Sequence, residues 1–484
     1  MKRPVEFDQV QGILRFGYQK LTECSFFLLA LKDVVAARAW LASAPVSIAV
    51  TRATAPESAL QVAFTCSGLR SLGCAEDLLA QFSPEFQAGM ASEARARLLG
   101  DTGGSAPGNW EWGADNTSVD LLVMLYAQPG KLAGWMNTLL TPLWEEAFSI
   151  LKELTTSDLD GVEPFGFRDG LSQPELDWKR ERVAPSVEDT YTNRIALGEF
   201  LLGYPNEYDK YTERPVLPED RQGAHLLPMA EDQVGKRDLG RNGSYLVLRT
   251  LQQDVQGFWA YVRSRAANNE AAEKLAAAMV GRNKDGTPLA AADLTTVPGA
   301  NPADTLNRFT FSSDPDAVRC PFGAHIRRAN PRNGDLPSPN VTGLSRLLAL
   351  LGLQQKTLHS DSKAASRFHR VLRRGREYSY PSTENGQAGL HFMCLAANIA
   401  RQFEFLQSAW IMSTKFDALT DESDPLLGSR EFLQGAPATD TYSIPRENTA
   451  PNRLRGIPRF VAVRGGSYFF LPSLPALCYL TRHQ

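Results

Sequence analysis

The sequence predicts an α+β protein built from two similar halves, and two internal echoes carry that prediction. In the first, the apolar run Cys24 to Leu31 is followed by Asp33 as an N-cap and a helix with Val34, Ala37, Trp40 and Leu41 on one face. The same order returns later: Tyr245 to Leu251, then Asp254, then a helix with Val255, Phe258, Trp259 and Val262 at helical spacing. In the second echo, Leu60 to Cys66 reads as a strand running into Ser67-Gly68-Leu69, and Leu390 to Leu395 runs into a helix carrying Ile399, Phe403, Leu406 and Trp410 on one stripe. Strands able to pair antiparallel, interleaved with helices that bury one face, give ferredoxin-like layers in each half. The expected division is residues 1–235 and 236–484.

The remaining elements follow from local pattern. Gly12 to Tyr18 reads as a short strand and Glu270 to Val280 as a helix. Trp178 to Gly243, charged and broken by Pro205, Pro215 and Pro218, reads as connecting chain with one docked apolar island, Phe200-Leu201-Leu202. Asn283 to Thr305 reads as a second long connection, of the kind that covers a site.

Size and composition narrow the function classes. A chain of 484 residues exceeds what one hydrophobic core usually supports, so two units with room for a buried cofactor are expected. With 43% hydrophobic and 22% charged residues, the profile is that of a globular protein. A formal charge of -3 gives no electrostatic reason to bind nucleic acid. The apolar stretch that ends at Leu31 is cut by Lys32-Asp33, far short of the ~20 residues a membrane helix needs. The N-terminus has no apolar leader, so a cytoplasmic location without membrane contact is expected, and the short C-terminus favours a free protein over one packaged in a shell. The six cysteines are scattered, several of them in apolar runs, and are expected to be buried thiols. No Cys-x-x-Cys-His occurs, so a haem, if present, is held without covalent attachment.

Three segments carry chemistry. With six histidines in the chain, a site needing several of them is disfavoured, but one needing a single imidazole is not. His325 lies in Cys320-Pro321-Phe322-Gly323-Ala324-His325-Ile326-Arg327-Arg328, with an apolar approach and arginines after it. Haem iron takes an imidazole from an apolar wall and its propionates take guanidinium groups, so His325 and Arg327 suit both needs. The same residues also read as a partly buried histidine beside a surface basic cluster. Glu163-Pro164-Phe165-Gly166-Phe167-Arg168-Asp169-Gly170 lets flanking glycines turn the chain and aim one carboxylate inward, and it also reads as a plain turn. Val371-Leu372-Arg373-Arg374-Gly375 offers cations after an apolar lead-in, or else a solvated strand end.

Taken together and in this order, Gly166-Phe167-Arg168-Asp169-Gly170, the Pro-Phe-Gly-Ala-His-Ile-Arg segment at His325 and the Arg-Arg-Gly segment at Arg373 resemble the dye-decolourising peroxidases. Gly198 to Tyr204, Gly389 to Phe392 and Arg464 to Pro472 extend the resemblance over nearly the whole chain. It implies one non-covalent haem b, held mainly by the C-terminal half, with His325 as the iron ligand. It also implies that Asp169 and Arg373 face hydrogen peroxide, with Arg374 the alternative to Arg373, and that Leu390 and Phe392 wall the pocket. Asp424, in Asp424-Pro425-Leu426-Leu427-Gly428, resembles the acid that orients the histidine, although an aspartate before proline also caps helices. The implied reaction oxidises dyes and other aromatic reductants with peroxide through a ferryl intermediate. Tyr378 resembles a tyrosine that relays electrons to the surface, although the reading its sequence favours is an ordinary packed tyrosine. The alternative function is a haem carrier, which needs His325 but no pairing of Asp169 with Arg373. Neither the reductant nor the oligomeric state is legible.

Overall fold

The computed structural model describes all residues except 1–3, 115–118, 182–192, 292–301, 334–364, 381–386, 418, 431–438 and 483–484. Its centre is a nine-stranded antiparallel sheet. Four strands precede residue 236: β1 (Glu23–Leu31), β2 (Ser58–Phe64), β3 (Leu121–Ala127) and β4 (Phe148–Thr155). Five follow it: β5 (Ser244–Gln253), β6 (Leu372–Arg373), β7 (Arg376–Tyr380), β8 (Gln387–Ala396) and β9 (Val461–Leu471). The spatial order is β6-β8-β5-β9-β2-β3-β1-β4, with β7 also paired to β8.

This order contains one arrangement twice. In β2-β3-β1-β4, the first strand lies between the third and the fourth, and β6/β7-β8-β5-β9 repeats that placement. Helices fill the corresponding crossovers, as in a β-α-β-β-α-β unit. The α+β class expected from the two echoes is therefore the fold observed. The two sets of strands are fused edge to edge through the pairing of Phe470 in β9 with Phe64 in β2.

Both echoed helices form where their caps stand. Asp33 accepts a hydrogen bond from Ala36 N–H at the start of α1 (Val34–Ser43). Asp254 does the same for Gly257 N–H at the start of α2 (Val255–Ser264). The Glu270 to Val280 prediction corresponds to α3 (Asn269–Val280). No helix among the described residues is long and apolar enough to cross a membrane. Five cysteines are buried, Cys478 is half-buried, and all six are free thiols.

Three local readings are corrected. Gly12–Leu14 is a single helical turn, not a strand, closed by Arg15 N–H on Gly12 O at 3.0 Å. Its tight winding buries the adjacent Ile13 and Leu14 together. The helix after β8 is widened, with Glu404 N–H reaching Ile399 O and Met412 N–H reaching Gln407 O, five residues back. The wider turn buries Gln402, Glu404 and Gln407 alongside Ile399 and Phe403, so the apolar stripe predicted at ordinary helical spacing is broken. The chain from Trp178 to Gly243 docks Phe200, Leu201 and Leu202 as expected, all fully buried, but it is more than a linker around them, because Val216–Pro218 pairs with Lys236–Asp238. Residues 182–192 of that stretch, and 292–301 of the second predicted connection, lie outside the described residues.

The seam between the two strand sets carries the first prediction. Phe470 is fully buried and its ring meets Phe82 edge-on at 4.9 Å. Phe470→Ala is expected to cost about 3–5 kcal/mol, read as a lowered denaturant midpoint.

Candidate active site

A cavity of about 250 Å³ lies against one face of the second strand set. The sheet lines it with Arg249, Leu251 and Gln253 from β5, Arg373 from β6, Leu390 and Phe392 from β8, and Val461 and Val463 from β9. These are alternate residues of each longer strand, as side chains on one face must be. Helical segments supply the other wall, including Val280, His325, Ile326, Phe403, Leu406 and Met412. His391, between Leu390 and Phe392, points through the sheet instead. Its Nε2 meets Thr155 O at 3.2 Å, and burial pushes it down to about 4.

His325 is the first residue of α4 (His325–Ala329), which starts after the turn closed by Ala324 N–H on Pro321 O. Its Nδ1 pairs with Asp424 Oδ2 at 2.9 Å, and its side chain keeps 27% exposure where it lines the cavity. Asp424 Oδ1 accepts from the N–H groups of Leu426 (2.9 Å) and Leu427 (2.8 Å), so one carboxylate both caps a turn and holds an imidazole. Burial disfavours charge on both partners. Their mutual attraction outweighs it, lowering Asp424 and raising His325 from their ordinary values. With Nδ1 so engaged, Nε2 is the nitrogen left to face the cavity.

Asp169 arrives from a turn in which Gly166 and Gly170 have φ of +97° and +75°, a conformation glycine adopts without strain. Its backbone N–H donates to Gly161 O at 3.0 Å. The connection after α3 braces the turn, with Arg168 N–H on Lys284 O at 3.1 Å. Arg373 Nη1 donates to Asp169 Oδ1 at 2.8 Å. Gln173 fixes the backbone of Arg373 from both sides, accepting from its N–H at 3.1 Å and donating to its carbonyl at 3.2 Å. Burial alone would raise the Asp169 carboxyl, but the charge of Arg373, the Gly170 N–H and the direct hydrogen bond together hold it below its ordinary value. Arg374 turns away, its Nε donating to Ile13 O at 2.8 Å.

The structure thus brings His325, Asp424, Asp169, Arg373, Leu390 and Phe392 to one place, and it sends Arg327 elsewhere. Arg327 lies two residues beyond His325 on a helix, so the two side chains leave on opposite sides. Its guanidinium is buried on Asp314 Oδ2 (3.2 Å) and Cys320 O (2.8 Å), between the rings of Phe311 and Phe322. Arg328 is also a strut, donating to the carbonyls of Trp410, Ser413 and Glu422. A cation that does line the cavity is Arg282, at the end of α3, which sequence reasoning passed over because it is a lone residue after a helix-ending glycine. Burial, with repulsion from Arg332 and Arg373, pushes Arg282 down to about 9, and its buried Nη2 has no hydrogen-bond partner among the described residues. Also missed was the buried pairing of Asp101 with Arg249, whose sequence surroundings carry no motif. Tyr378 is buried, its hydroxyl donating to Leu251 O at 3.3 Å and its ring stacked on His391 at 4.6 Å.

The chain is 31% identical over 489 residues to a dye-decolourising peroxidase of Mycetinis scorodonius, a match spanning 97% of this chain and 86% of that protein. It is 30% identical over 437 residues to a multifunctional dye peroxidase of Amycolatopsis sp., spanning 86% of this chain and 81% of that protein. No family profile matches it. The fold is similar to the crystal structure of a fungal peroxidase of this type from Auricularia auricula-judae, with a TM-score of 0.73 and 24% identity over 99% of this chain and 100% of that one. A peroxidase of the same type from Anabaena sp. gives a TM-score of 0.71 and 23% identity, over 98% and 94% of the two chains. With this fold, and with similarity to a curated relative over almost its whole length, the chain belongs to the dye-decolourising peroxidases and is a peroxidase enzyme.

Proposed function

We propose that the cavity binds one haem b without covalent attachment and that the chain uses hydrogen peroxide to oxidise dyes and related aromatic reductants. The observation that carries this reading is the presence of two charged pairs on one cavity: His325 with Asp424 on the helical wall, and Asp169 with Arg373 on the sheet side. The cavity's chemistry fits the group. An imidazole presents one free nitrogen from a wall of apolar side chains, as an axial ligand must. Arg282, with its stranded Nη2 and its depressed proton affinity, suits an anionic propionate, the role expected of Arg327 from sequence. Leu390 and Phe392 add apolar surface to the same cavity.

When bound, the haem supplies an iron that accepts the oxidising equivalents of peroxide and passes them on to the reductant. Asp169, ionised and facing the cavity, takes the proton from one peroxide oxygen and returns it to the other, which leaves as water. Arg373 binds the hydroperoxide anion formed between these transfers and keeps Asp169 charged beforehand. Asp424 holds His325 in the tautomer that leaves Nε2 for the metal. The Asp169–Arg373 pair favours this reading over a haem carrier, which has no use for it.

Two outcomes are expected. Asp169→Ala and Arg373→Ala retain the haem absorption band but lose about 10²- to 10⁴-fold in kcat/KM for peroxide. His325→Ala loses the haem. If Asp169→Ala reacts with peroxide at the unaltered rate, the assignment is wrong. The second outcome concerns pH. Asp169 works while deprotonated, and its carboxyl is held below the ordinary 3.8, so the rate of reaction with peroxide should stay level as pH falls, until the pH drops below that value. Stopped-flow rates across the acid range check this, and a midpoint above about 5 would contradict it.

A further inference from the structure

The turn that delivers Asp169 is tied at its first residue. The carboxylate of Glu163 accepts from Phe165 N–H at 2.9 Å and Phe167 N–H at 3.0 Å, and Gln253 Nε2 donates to it at 2.7 Å. The Glu163 backbone closes the same turn, its N–H on Phe167 O at 2.9 Å and its carbonyl accepting from Gly166 N–H at 2.8 Å. Glu163 and Gln253 both line the cavity. Gln253 is 7% exposed, and its buried Oε1 has no hydrogen-bond partner among the described residues.

We propose that Glu163 is a positioning residue for Asp169, and that the Glu163–Gln253 pair is where this turn takes up or releases a proton. The proposal rests on the reading of Asp169 as the group that moves the peroxide proton. While Glu163 is ionised, its two oxygens collect three N–H donors and the Gln253 oxygen is stranded, which is costly for a buried acceptor. Once Glu163 is protonated, its O–H donates to that oxygen after the amide turns over; the amide NH2 then takes the oxygen's former place, so what the proton removes is a buried charge. The groups facing Glu163 are the backbone of its own turn, Gln253 from β5 and the charge of Asp169. Burial, with Asp169 adding to it, outweighs the three hydrogen bonds and pushes Glu163 up to about 7. In acid, Asp169 therefore keeps its negative charge without a second one in the same turn.

The test compares the haem-loaded wild type with Glu163→Gln, Glu163→Ala and Asp169→Ala. The folded value for Glu163 lies above its ordinary 4.5, so the stability it gives is complete below 4.5 and is lost as pH rises to about 7. The melting temperature of Glu163→Gln should accordingly gain on the wild type across that window and run parallel above it. Glu163→Ala should lose at least about tenfold in kcat/KM for peroxide, because the aspartate is no longer aimed. Its KM for the reductant should not change, and its acid limb should move up toward 3.8 as Asp169 loses its alignment with Arg373. Glu163→Gln, which still offers an acceptor to the turn, should recover most of that loss. A melting-temperature difference that is flat with pH, or a Glu163→Ala enzyme with wild-type rate and acid limb, overturns the proposal. If Asp169→Ala is slow while both Glu163 variants behave as wild type, only the role of Glu163 fails. If Asp169→Ala is itself unimpaired, the reading beneath it fails too.

Discussion

The 2.8 Å pairing of Arg373 with Asp169 joins residues 204 positions apart, one from each half of the chain. Neither group is at ease there alone. A carboxylate taken from water needs a cation or several donors, and a guanidinium facing an apolar pocket needs an anion. The structure meets both needs with a braced turn on one side and a strand end on the other, and the brace extends well beyond the pair. Gln173 locks the Arg373 backbone, Lys284 O holds Arg168, and Glu163 gathers the turn's own N–H groups. Side chains that perform a reaction gain most when their supports leave no room to move.

The same economy governs the other arginines. Sequence makes the basic residues after His325 look like a surface for an anion, yet Arg327 and Arg328 are spent inside the protein. Each guanidinium carries several donors in a fixed plane, so it can staple a one-turn helix to distant carbonyls. Arg328 reaches Trp410, Ser413 and Glu422, tying α4 to the segment that leads into Asp424. These struts fix the distance between His325 and its acid, and the cavity is left with Arg282 as a cation whose hydrogen bonding is incomplete.

Much of the fold could be read beforehand because capping and periodicity are local. Asp33 and Asp254 announce their helices, and the repeated order of strand, cap and helix exposes the doubled architecture. The site was legible where a motif has a local physical cause: glycines at positive φ around Asp169, and an apolar approach to His325. Asp424 was open between two roles: one oxygen pairs with His325, while the other caps a turn and not the helix its place before proline suggested. Contacts across the fold were not legible. Nothing near Arg327 says which side of a short helix it leaves from, nothing near Asp101 announces Arg249, and no periodicity foretells the widened turns after β8.

The central claim is that Asp169 and Arg373 act as one unit on peroxide, and a double-mutant cycle tests it most directly. The rate constant for reaction with peroxide would be measured in the haem-loaded wild type, Asp169→Ala, Arg373→Ala and the double variant. If the pair is a unit, either single change removes most of what the double change removes, so the losses fall far short of multiplying. Losses that multiply would mean that the two residues act independently, contradicting the account.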